Sequence, residues 1–285
     1  MPLVGLSSSY YAFQKYSIYD AVKRINELGF STAELGAAHT FEKDIWKSLR
    51  KIRHDFPKMN FTVHGMFPPL KEKHWLNLAL GLNAFNKKII SGMFKAAEIS
   101  EAKCVTMHPG FLSEALFGNE HNGMDYGKQG APIEKQKAFK GVCDSIDFSL
   151  KLAKKTGVNF GVENITLGGF TPAVYSVSEF RDLFSRFPKL GWLFDMGHAL
   201  SEARLEELLS LKEKAIQMHV HFSRQKSETV PMDEHKPLPS EKEISFMRGI
   251  KQIKKIPLIF EHGTNVSETE ILAEKKLLEG FLKKI

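Results

Sequence analysis

An aspartate and a histidine follow directly on an apolar segment in the second half of the chain. The segment spans residues 192–194, and Asp195 and His198 come immediately after it. A buried strand accommodates a carboxylate and an imidazole only where they are paired or bound to something. At the end of a strand, both side chains can point into a shared opening and act as metal ligands or acid–base groups. Taken alone, the two residues could also form an ordinary helix cap.

The same arrangement recurs along the chain, at the ends of further apolar segments and in one loop. The nine residues concerned are His64, His108, Glu163, Asp195, His198, His219, Asp233, His235 and Glu261. Each alone is weak evidence, since a single strand-end histidine is more often a hydrogen-bonded structural residue. Together they form a nitrogen and oxygen ligand set without cysteine, which suits zinc or manganese and exceeds the needs of one ion. Without a metal, carboxylates so close together would repel one another and shift their pKa values.

The elements that must position these residues alternate between short apolar segments and amphipathic helices. The predicted strands are 3–6, 32–35, 61–63, 104–107, 160–162, 192–194, 215–220 and 256–260. The predicted helices are 18–28, 46–52, 76–99, 134–156, 177–187, 202–211, 241–254 and a last helix that runs to 284. Short apolar strands separated by helices are typical of a parallel sheet covered on both faces.

Eight strand–helix units in 285 residues predict an α/β protein with a closed (β/α)8 TIM barrel, as a single domain over residues 1–285. An open, doubly wound sheet is the alternative, but no glycine-rich phosphate-binding sequence follows the first strand. In a closed barrel, strand ends that are distant in sequence meet at one mouth. The barrel therefore brings the nine polar residues together.

The connection over residues 111–131 directly follows His108, and we interpret it as a lid or a substrate-contacting loop. Its candidate contact residues are Phe117, His121, Tyr126 and Lys128. A solvated surface loop is the alternative. Five further histidines are interpreted as surface residues or as residues behind the ligands, namely His39, His54, His74, His121 and His262.

Composition and charge set broad limits on function. Hydrophobic residues make up 42% and charged residues 26% of the chain, as in ordinary soluble proteins. No apolar run approaches the roughly 18 residues of a membrane span. The first residues also lack the pattern of a signal peptide, so we expect a cytoplasmic protein without a membrane partner. The net charge of +7 permits a polyanionic partner such as nucleic acid, although lysines on solvated helix faces explain it more simply.

Across essentially the whole chain, these segments resemble the endonuclease IV and xylose isomerase-like barrel superfamily. The motifs that carry the resemblance are His64 with Phe67 and Asn77-Leu78, His108-Pro109-Gly110, Glu163-Asn164, Asp195 with His198, His219, Asp233 with His235, and Glu261. In endonuclease IV, nine such positions hold three zinc ions. The resemblance implies that His64, His108 and Glu163 hold a first ion, that Glu163 bridges to a second ion on Asp195, His219 and Glu261, and that His198, Asp233 and His235 hold a third. It therefore implies up to three Zn²⁺ ions, with Mn²⁺ or another divalent metal as alternatives.

The sequence departs from the endonuclease IV pattern at three places. The loop after the second strand, residues 36–40, lacks the arginine with which endonuclease IV probes DNA. The seventh-strand motif, usually His-Leu-Asn-Asp, is replaced by residues 219–222, His-Val-His-Phe. The run from Asp195 to His198 is closer to the sugar isomerases and epimerases of the superfamily, which resemble the chain at Glu163, Asp195, His219 and Glu261 and use one ion.

The first hypothesis is a metal-dependent phosphodiesterase of the endonuclease IV type, which cleaves DNA at abasic sites during DNA repair. Divalent ions would lower the pKa of water for attack on phosphorus and neutralise the leaving oxygen. Glu163 would bridge two ions, and Glu261 and His198 are the other candidate catalytic residues. The candidate substrate contacts are Arg224, Lys128 and Phe67, of which the two cations would position the DNA backbone.

The second hypothesis is a sugar or sugar-phosphate isomerase or epimerase with one ion. Glu163 and Glu261 would move a proton off and onto carbon through an enediolate, and His198 and Arg224 would contact substrate. Four of the nine residues would then have no metal to bind: His64, His108, Asp233 and His235. We favour the phosphodiesterase for that reason. A third class, a metal-binding barrel with another hydrolytic role or none, predicts an intact site that turns over neither substrate.

Overall fold

A closed barrel of parallel strands forms the centre of the computed structural model, which describes residues 2–71, 75–116, 128–166 and 170–285. The strands of this described part are β1 (Leu3–Ser7), β2 (Thr32–Leu35), β3 (Asn60–His64), β4 (Cys104–Met107), β5 (Ser113–Leu116), β6 (Lys128–Pro132), β7 (Asn159–Glu163), β8 (Gly191–Asp195), β9 (Ala215–Val220) and β10 (Pro257–Phe260). Eight of them close the barrel in the order β1, β10, β9, β8, β7, β4, β3, β2. The predicted (β/α)8 barrel is therefore confirmed.

Three barrel strands end on residues of the predicted ligand set, since His64 closes β3, Glu163 closes β7 and Asp195 closes β8. The sequence prediction ended each of these strands one residue earlier, because it assigned the polar residue to the loop. In the structure the pairing continues, and Asp195 stands opposite His219 in the ladder between β8 and β9. The strand backbone, rather than a loop, therefore holds these side chains in place.

The helices that cover the barrel are α1 (Ser9–Ala12), α2 (Ile18–Glu27), α3 (Ile45–Asp55), α4 (Ala84–Ser100), α5 (Lys135–Thr156), α6 (Val177–Arg186), α7 (Met196–Ser201), α8 (Leu205–Leu208) and α9 (Glu268–Lys283). Five of them agree with the predicted helices to within a few residues, namely α2, α3, α5, α6 and α9. Their apolar faces pack on the strands, as where Ala21, Val22 and Ile25 of α2 are all fully buried. Burial of such faces is the main source of stability for helices in a folded domain.

The helix predicted over 76–99 begins later than expected, at Ala84. Gly81 adopts a φ of +66°, which glycine tolerates and a helix does not contain. The side chain of Asn83 then caps α4 by accepting a hydrogen bond from the backbone N–H of Asn86 at 2.8 Å. The segment before Ala84 is therefore free to cross the barrel mouth with only a short 3₁₀ turn, Leu78–Leu80.

The prediction of an α-helix over residues 241–254 is wrong, because this segment forms a 3₁₀ helix at Ser245–Gly249 that is flanked by turns. Its buried apolar residues stand three apart, at Ile244, Met247, Ile250 and Ile253. Successive backbone hydrogen bonds also join residues three apart, from Met247 N–H to Ile244 O at 3.0 Å and from Ile250 N–H to Met247 O at 3.0 Å. A spacing of three fits the 3₁₀ helix, with three residues per turn, better than the α-helix.

The helix predicted over 202–211 is also divided. The chain forms α7 directly after β8, then α8 and a 3₁₀ helix at Leu209–Lys214. The early start of α7 matters for the site, because it places His198 one turn after Asp195.

The predicted lid over residues 111–131 is described only at its two ends. These ends form β5 and β6, which pair as an antiparallel hairpin. Three of its candidate contact residues, Phe117, His121 and Tyr126, lie outside the described residues, and so does the side chain of Lys128. The lid therefore stays a prediction.

The main core lies between the barrel and its helices. Trp192 and Phe194 of β8 are fully buried, with ring centroids 4.6 Å apart, and Phe194 also packs against Phe246 at 5.8 Å. Because strand side chains alternate, Leu193 and Asp195 face the opposite way, into the barrel. In the part of the chain that is described, no helix combines the length and the apolar character needed to cross a membrane.

Met247→Ala tests whether the 3₁₀ segment is part of this core. We expect the free energy of unfolding to fall by about 2–5 kcal/mol, as for other buried methionines cut back to alanine. Lys251→Ala, an exposed change in the same segment, should alter it by less than about 0.5 kcal/mol. Equal effects of the two variants in urea titrations would show that the segment packs loosely.

Candidate metal centre

The nine residues of the predicted ligand set lie together at the barrel mouth, in three groups. The first group is His64, His108 and Glu163, the central group is Glu163, Asp195, His219 and Glu261, and the outer group is His198, Asp233 and His235. Within each group, one ligand-capable atom of every residue lies within 4.8 Å of the others. This division matches the one that the resemblance implied, with Glu163 common to two groups. Among the described residues, two further groups each include a residue from outside the set: Glu34 with His64 and His219, and His221 with His235 and Glu261.

Glu163 is fully buried, and its two oxygens face different groups. Oε2 lies 3.3 Å from His64 Nε2 and 3.2 Å from His108 Nε2. Oε1 lies 3.6 Å from His219 Nδ1 and 3.3 Å from His198 Nδ1. Burial alone would raise the pKa of Glu163, but the imidazoles of His108 and His64 lower it well below its ordinary value. The carboxylate is thus held as an anion between the first and central groups.

Asp195 has two separate tasks, one for each oxygen. Oδ1 accepts a hydrogen bond from the backbone N–H of His198 at 2.7 Å and so caps α7. Oδ2 lies 3.4 Å from His219 Nδ1, in the central group. The backbone of Asp195 is in turn held by Asn164, whose side chain accepts from its N–H at 3.0 Å and donates to its carbonyl at 2.8 Å. The helix-cap and metal-ligand interpretations of this residue are therefore compatible.

His219 is held from behind by Glu34, a residue that the sequence analysis did not include in the site. His219 Nε2 lies 3.0 Å from Glu34 Oε2, and His219 Nδ1 lies 3.1 Å from Glu261 Oε2. Glu34 is fully buried in β2. Carboxylates that accept a hydrogen bond from a ligating imidazole fix its tautomer and orientation. A charged residue inside an apolar strand could have revealed Glu34, by the same criterion that identified Asp195.

Hydrogen bonds also orient three of the other imidazoles. His198 Nδ1 donates to the backbone carbonyl of Asn164 at 2.9 Å, and His235 Nδ1 donates to that of Glu261 at 2.8 Å. A carbonyl can only accept, so in the neutral rings of His198 and His235 the lone pair is on Nε2. These Nε2 atoms lie 3.4 Å and 3.2 Å from Asp233 Oδ2. His64 Nδ1 similarly lies 3.0 Å from the Thr106 hydroxyl, which leaves its Nε2 for Glu163.

The electrostatics of the mouth are dominated by buried carboxylates. Burial would raise the pKa values of Glu261 and Asp233, but His219 lowers that of Glu261 and His221 that of Asp233, both well below their ordinary values. Burial lowers the pKa of the His219 imidazole, but Glu34 and Glu261 more than offset this and raise it well above its ordinary value. A proton and a cation thus compete for the same nitrogen, so metal binding must release protons.

The chemistry of these atoms fits divalent cations. Several of them are buried and lack a hydrogen-bond partner among the residues that the structure describes: both oxygens of Glu163, Asp195 Oδ2, His219 Nδ1 and Asp233 Oδ1. Leaving such atoms unpaired is costly, whereas a cation between them would satisfy several at once. The donor set contains nitrogen and oxygen but no sulfur, which suits zinc or manganese.

A cavity of about 100 Å³ opens next to the three groups. One wall consists of ligand-set residues, among them His108, His198 and Glu261. The facing wall is largely apolar and includes Trp75 and Leu76. The sequence prediction did not include this wall, because it began a helix at Leu76 and gave Trp75 no role. A loop that crosses the mouth has no periodicity that would reveal it.

Two of the three predicted substrate contacts lie away from this cavity. The side chain of Arg224 is 57% exposed, and its guanidinium pairs with Glu234 at 2.8 Å. Phe67 is fully buried and packs edge-on against His39, with ring centroids 6.1 Å apart. Phe67 therefore supports the mouth from within, while Arg224 stands at its rim.

The histidines outside the ligand set differ in position. His54 is exposed, as expected. His39 is buried, with Nε2 3.0 Å from the Ser8 hydroxyl, and is not a surface residue. His262 is buried behind the mouth, where it bonds Glu274 at 2.6 Å. His74 and His121 lie outside the described residues.

Comparison with known families and structures agrees with this architecture. The sequence model of the family described as "Xylose isomerase-like TIM barrel" matches residues 22–279. No curated protein sequence matches the chain.

Among solved structures, a D-tagatose 3-epimerase-like protein superimposes with a TM-score of 0.70 at 17% identity, covering 99% of this chain and 97% of its own. D-psicose 3-epimerase from Clostridium cellulolyticum gives a TM-score of 0.68 at 15% identity and covers 99% of each chain. Endonuclease IV from Thermus thermophilus gives 0.61 at 16% identity and covers 100% of each chain. At these identities the likeness concerns the fold.

The burial of His39 predicts an acid-sensitive contribution to stability. Burial lowers the pKa of this imidazole to about 4, against about 6.5 in the unfolded chain. The folded state therefore binds the proton less tightly than the unfolded chain does. The contribution of neutral His39 to the free energy of unfolding is complete above pH 6.5 and is lost as the pH falls towards 4. By linkage, the free energy of unfolding of wild type should fall by about 2–3 kcal/mol more than that of His39→Gln between pH 7 and pH 4.5. Urea titrations measure the difference, and His54→Gln at an exposed ring should behave as wild type.

Proposed function

The chain belongs to the xylose isomerase-like TIM-barrel family, and we propose that within it the protein is a metal-dependent phosphodiesterase that cleaves DNA at abasic sites. The proposal rests on the number of ligand groups. One ion serves the sugar isomerases that the sequence resembles, and the central group alone would hold it. The first and outer groups are complete as well, with their ligand atoms within 4.8 Å of one another. A three-ion site of the endonuclease IV type accounts for the three groups that consist of the nine ligand-set residues alone.

Bound divalent ions would supply activation of water at neutral pH and neutralisation of charge on the phosphate and the leaving oxygen. The protein's own contribution begins with Glu163, whose two oxygens fix the spacing of the first and central groups. Glu261 and Asp195 keep the central group anionic, and His198 faces both Glu163 and Asp233. The apolar wall at Trp75 and Leu76 would exclude water from the reacting phosphate.

The cavity supports a small reacting group. Cavities for drug-sized ligands usually exceed about 300 Å³, and this one measures about 100 Å³. A sugar that has lost its base would fit such a volume far better than a complete nucleotide. The rest of the DNA would lie across the rim.

The rim cations are engaged with carboxylates in the structure. Arg224 and Lys236 both pair with Glu234, and Lys226 pairs with Glu202. We propose that Arg224 exchanges Glu234 for a DNA phosphate, and that Lys128 is a second phosphate contact, as predicted from the sequence. The exchange would break a bidentate pair, since Arg224 Nε and Nη2 bond the two oxygens of Glu234 at 2.9 Å and 2.8 Å, and a phosphate could accept the same two hydrogen bonds.

A sugar or sugar-phosphate isomerase or epimerase is the second candidate, and the completeness of the central group favours it. Glu163, Asp195, His219 and Glu261 would hold one ion without help from the other groups. Glu163 and Glu261 would then take a proton from carbon and return one to carbon, on the neighbouring atom in an isomerase or on the opposite face of the same atom in an epimerase. The small cavity is equally compatible with a single sugar.

Glu163→Gln tests the bridging role. A neutral amide cannot replace a carboxylate shared by two cations, so cleavage of an abasic-site oligonucleotide should fall by at least about ten- to a hundredfold. Circular dichroism should show an intact fold. Glu228→Gln, the same change at an exposed loop residue, serves as the control and should retain full activity. More than about a tenth of wild-type activity in Glu163→Gln would mean that Glu163 does not bridge.

Asp233→Ala and His235→Ala distinguish the two candidates. A phosphodiesterase with three ions should lose about one metal equivalent in each variant, together with most of its cleavage of abasic DNA. An isomerase should keep its ion on the central group and most of its turnover of sugar substrates. Elemental analysis of purified protein, with parallel assays on both substrate classes, makes the comparison. One ion in wild type and no cleavage of abasic DNA in added zinc or manganese would favour the isomerase.

A further inference from the structure

A tenth polar residue, His221, is buried among the outer group although neither the sequence prediction nor the resemblance assigned it a role. It follows β9 by one residue and is fully buried. Its ring stacks on that of His235, with centroids 4.0 Å apart and planes 14° apart. Its Nε2 lies 3.0 Å from Asp233 Oδ2 in hydrogen-bond geometry. His221 therefore contacts both loop residues of the outer group. One of its ring nitrogens also lies within 4.8 Å of ligand-capable atoms of His235 and Glu261, so a test must separate a positioning role from direct metal ligation.

Asp233 Oδ2 is approached by three imidazoles, and they cannot all play the same part. His198 and His235 give their Nδ1 protons to backbone carbonyls, so their neutral rings turn lone pairs towards Asp233 from 3.4 Å and 3.2 Å. Lone pairs facing a carboxylate repel it, so each of these nitrogens needs either a metal ion or a proton between it and Asp233. His221 has no such carbonyl partner in the described part of the chain, where its Nδ1 is without a hydrogen bond. His221 can therefore carry its proton on Nε2 and donate it to Asp233.

The backbone of α7 lies directly against the same ring. A Cβ atom on Gly197 would meet His221 Nε2 at 1.9 Å and Cδ2 at 2.1 Å. No ordinary side chain tolerates such a distance, so only glycine fits at this position while His221 is in place. Gly197 precedes His198 in α7. The His221 ring thus fixes the distance between α7, which carries His198, and the loop that carries Asp233 and His235.

We propose that His221 is the positioning residue of the outer group. It donates the Nε2 proton to Asp233 and supports the ring of His235 by stacking. In this way it fixes the positions of Asp233 and His235 relative to His198, and Gly197 leaves space for its ring. The inference rests on the proposed function in one respect, since it takes the outer group to bind an ion. Hydrogen-bond partners behind metal ligands commonly account for ten- to a hundredfold in metal affinity.

Two substitutions separate the possible roles of the ring. His221→Phe keeps the stacking surface and removes the N–H donor, whereas His221→Gln keeps an N–H donor near the position of Nε2. Zinc titration of the metal-free protein against a competing chelator gives the number of ions and the dissociation constant of each. We expect His221→Phe to raise the dissociation constant of one zinc ion by about 10- to 100-fold and to leave those of the other two unchanged. His221→Gln should recover most of that loss.

His39→Phe is the matched control, because His39 is another buried imidazole at the mouth and belongs to none of the ligand groups. It should bind all three ions as wild type does. Circular dichroism and urea titration of each variant show that it is folded under the conditions of the zinc titration.

Gly197 provides an independent test by a double-mutant cycle. Gly197→Ala should weaken the same ion as His221→Phe, because its Cβ would displace the ring. In a His221→Ala background the ring is absent, so adding Gly197→Ala should cause no further loss of zinc affinity. Additive losses in the double variant would overturn the role given to Gly197 and, with it, the fixed spacing of α7 and the loop.

Three results would overturn the proposal for His221. An equal loss of zinc affinity in His221→Gln and His221→Phe would mean that the imidazole itself is a metal ligand. Unchanged zinc affinity in His221→Phe would mean that the ring serves only to fill space and that its N–H donor has no role in metal binding. Fewer than three ions in wild type would contradict the three-ion function before any variant is compared, and equal numbers of ions in wild type and Asp233→Ala would show that the outer group binds none. Three ions without DNA cleavage would leave the positioning role standing while the proposed function fails.

Discussion

The mouth of this barrel depends on the burial of negative charge. Glu163, Asp195 and Glu34 are fully buried, and an isolated carboxylate in such a place is strongly unfavourable. Imidazoles on every side offset this cost, and Glu163 alone has four of them within 3.6 Å. In the absence of a cation, protons on these rings must supply the positive charge. The architecture of the site is therefore a set of anions for which protons and metal ions are alternative partners.

The backbone supplies much of the order in this arrangement. Two of the imidazoles are fixed by carbonyl groups of neighbouring segments, those of Asn164 and Glu261, and each of these carbonyls belongs to a strand-end motif that also provides a ligand. The carboxyl end of one strand thus orients a ring from another element. The closed barrel extends this support across the mouth, because closure brings Glu34 of β2 within 3.0 Å of His219 of β9, although these two strands are not neighbours in the sheet.

The fold and the nine-residue set could be predicted from local pattern, because seven members stand at or just beyond the end of an apolar run. The other two, Asp233 and His235, lie in one polar loop. The remaining features depend on packing that no local pattern records. Glu34 lies within an apolar strand, and Trp75 lines the cavity from a loop without periodicity. Phe67 was predicted to contact substrate from its place in a motif, yet its ring is buried against His39. The segment 241–254 was assigned to a helix although its apolar residues repeat every three positions, a distinction that only the hydrogen bonds made clear.

The divided role of Asp195 has a consequence for how this chain can diverge. An ordinary helix cap can drift among serine, threonine, asparagine and aspartate with little loss of stability. Here the oxygen that does not cap α7 faces His219, and serine or threonine has no second oxygen to put there, while asparagine would bring an uncharged amide. A substitution that is silent for the helix would thus be felt at the centre of the barrel. Each capping substitution at position 195 would therefore preserve the start of α7 and alter the central group, so the helix alone does not explain an aspartate at this position.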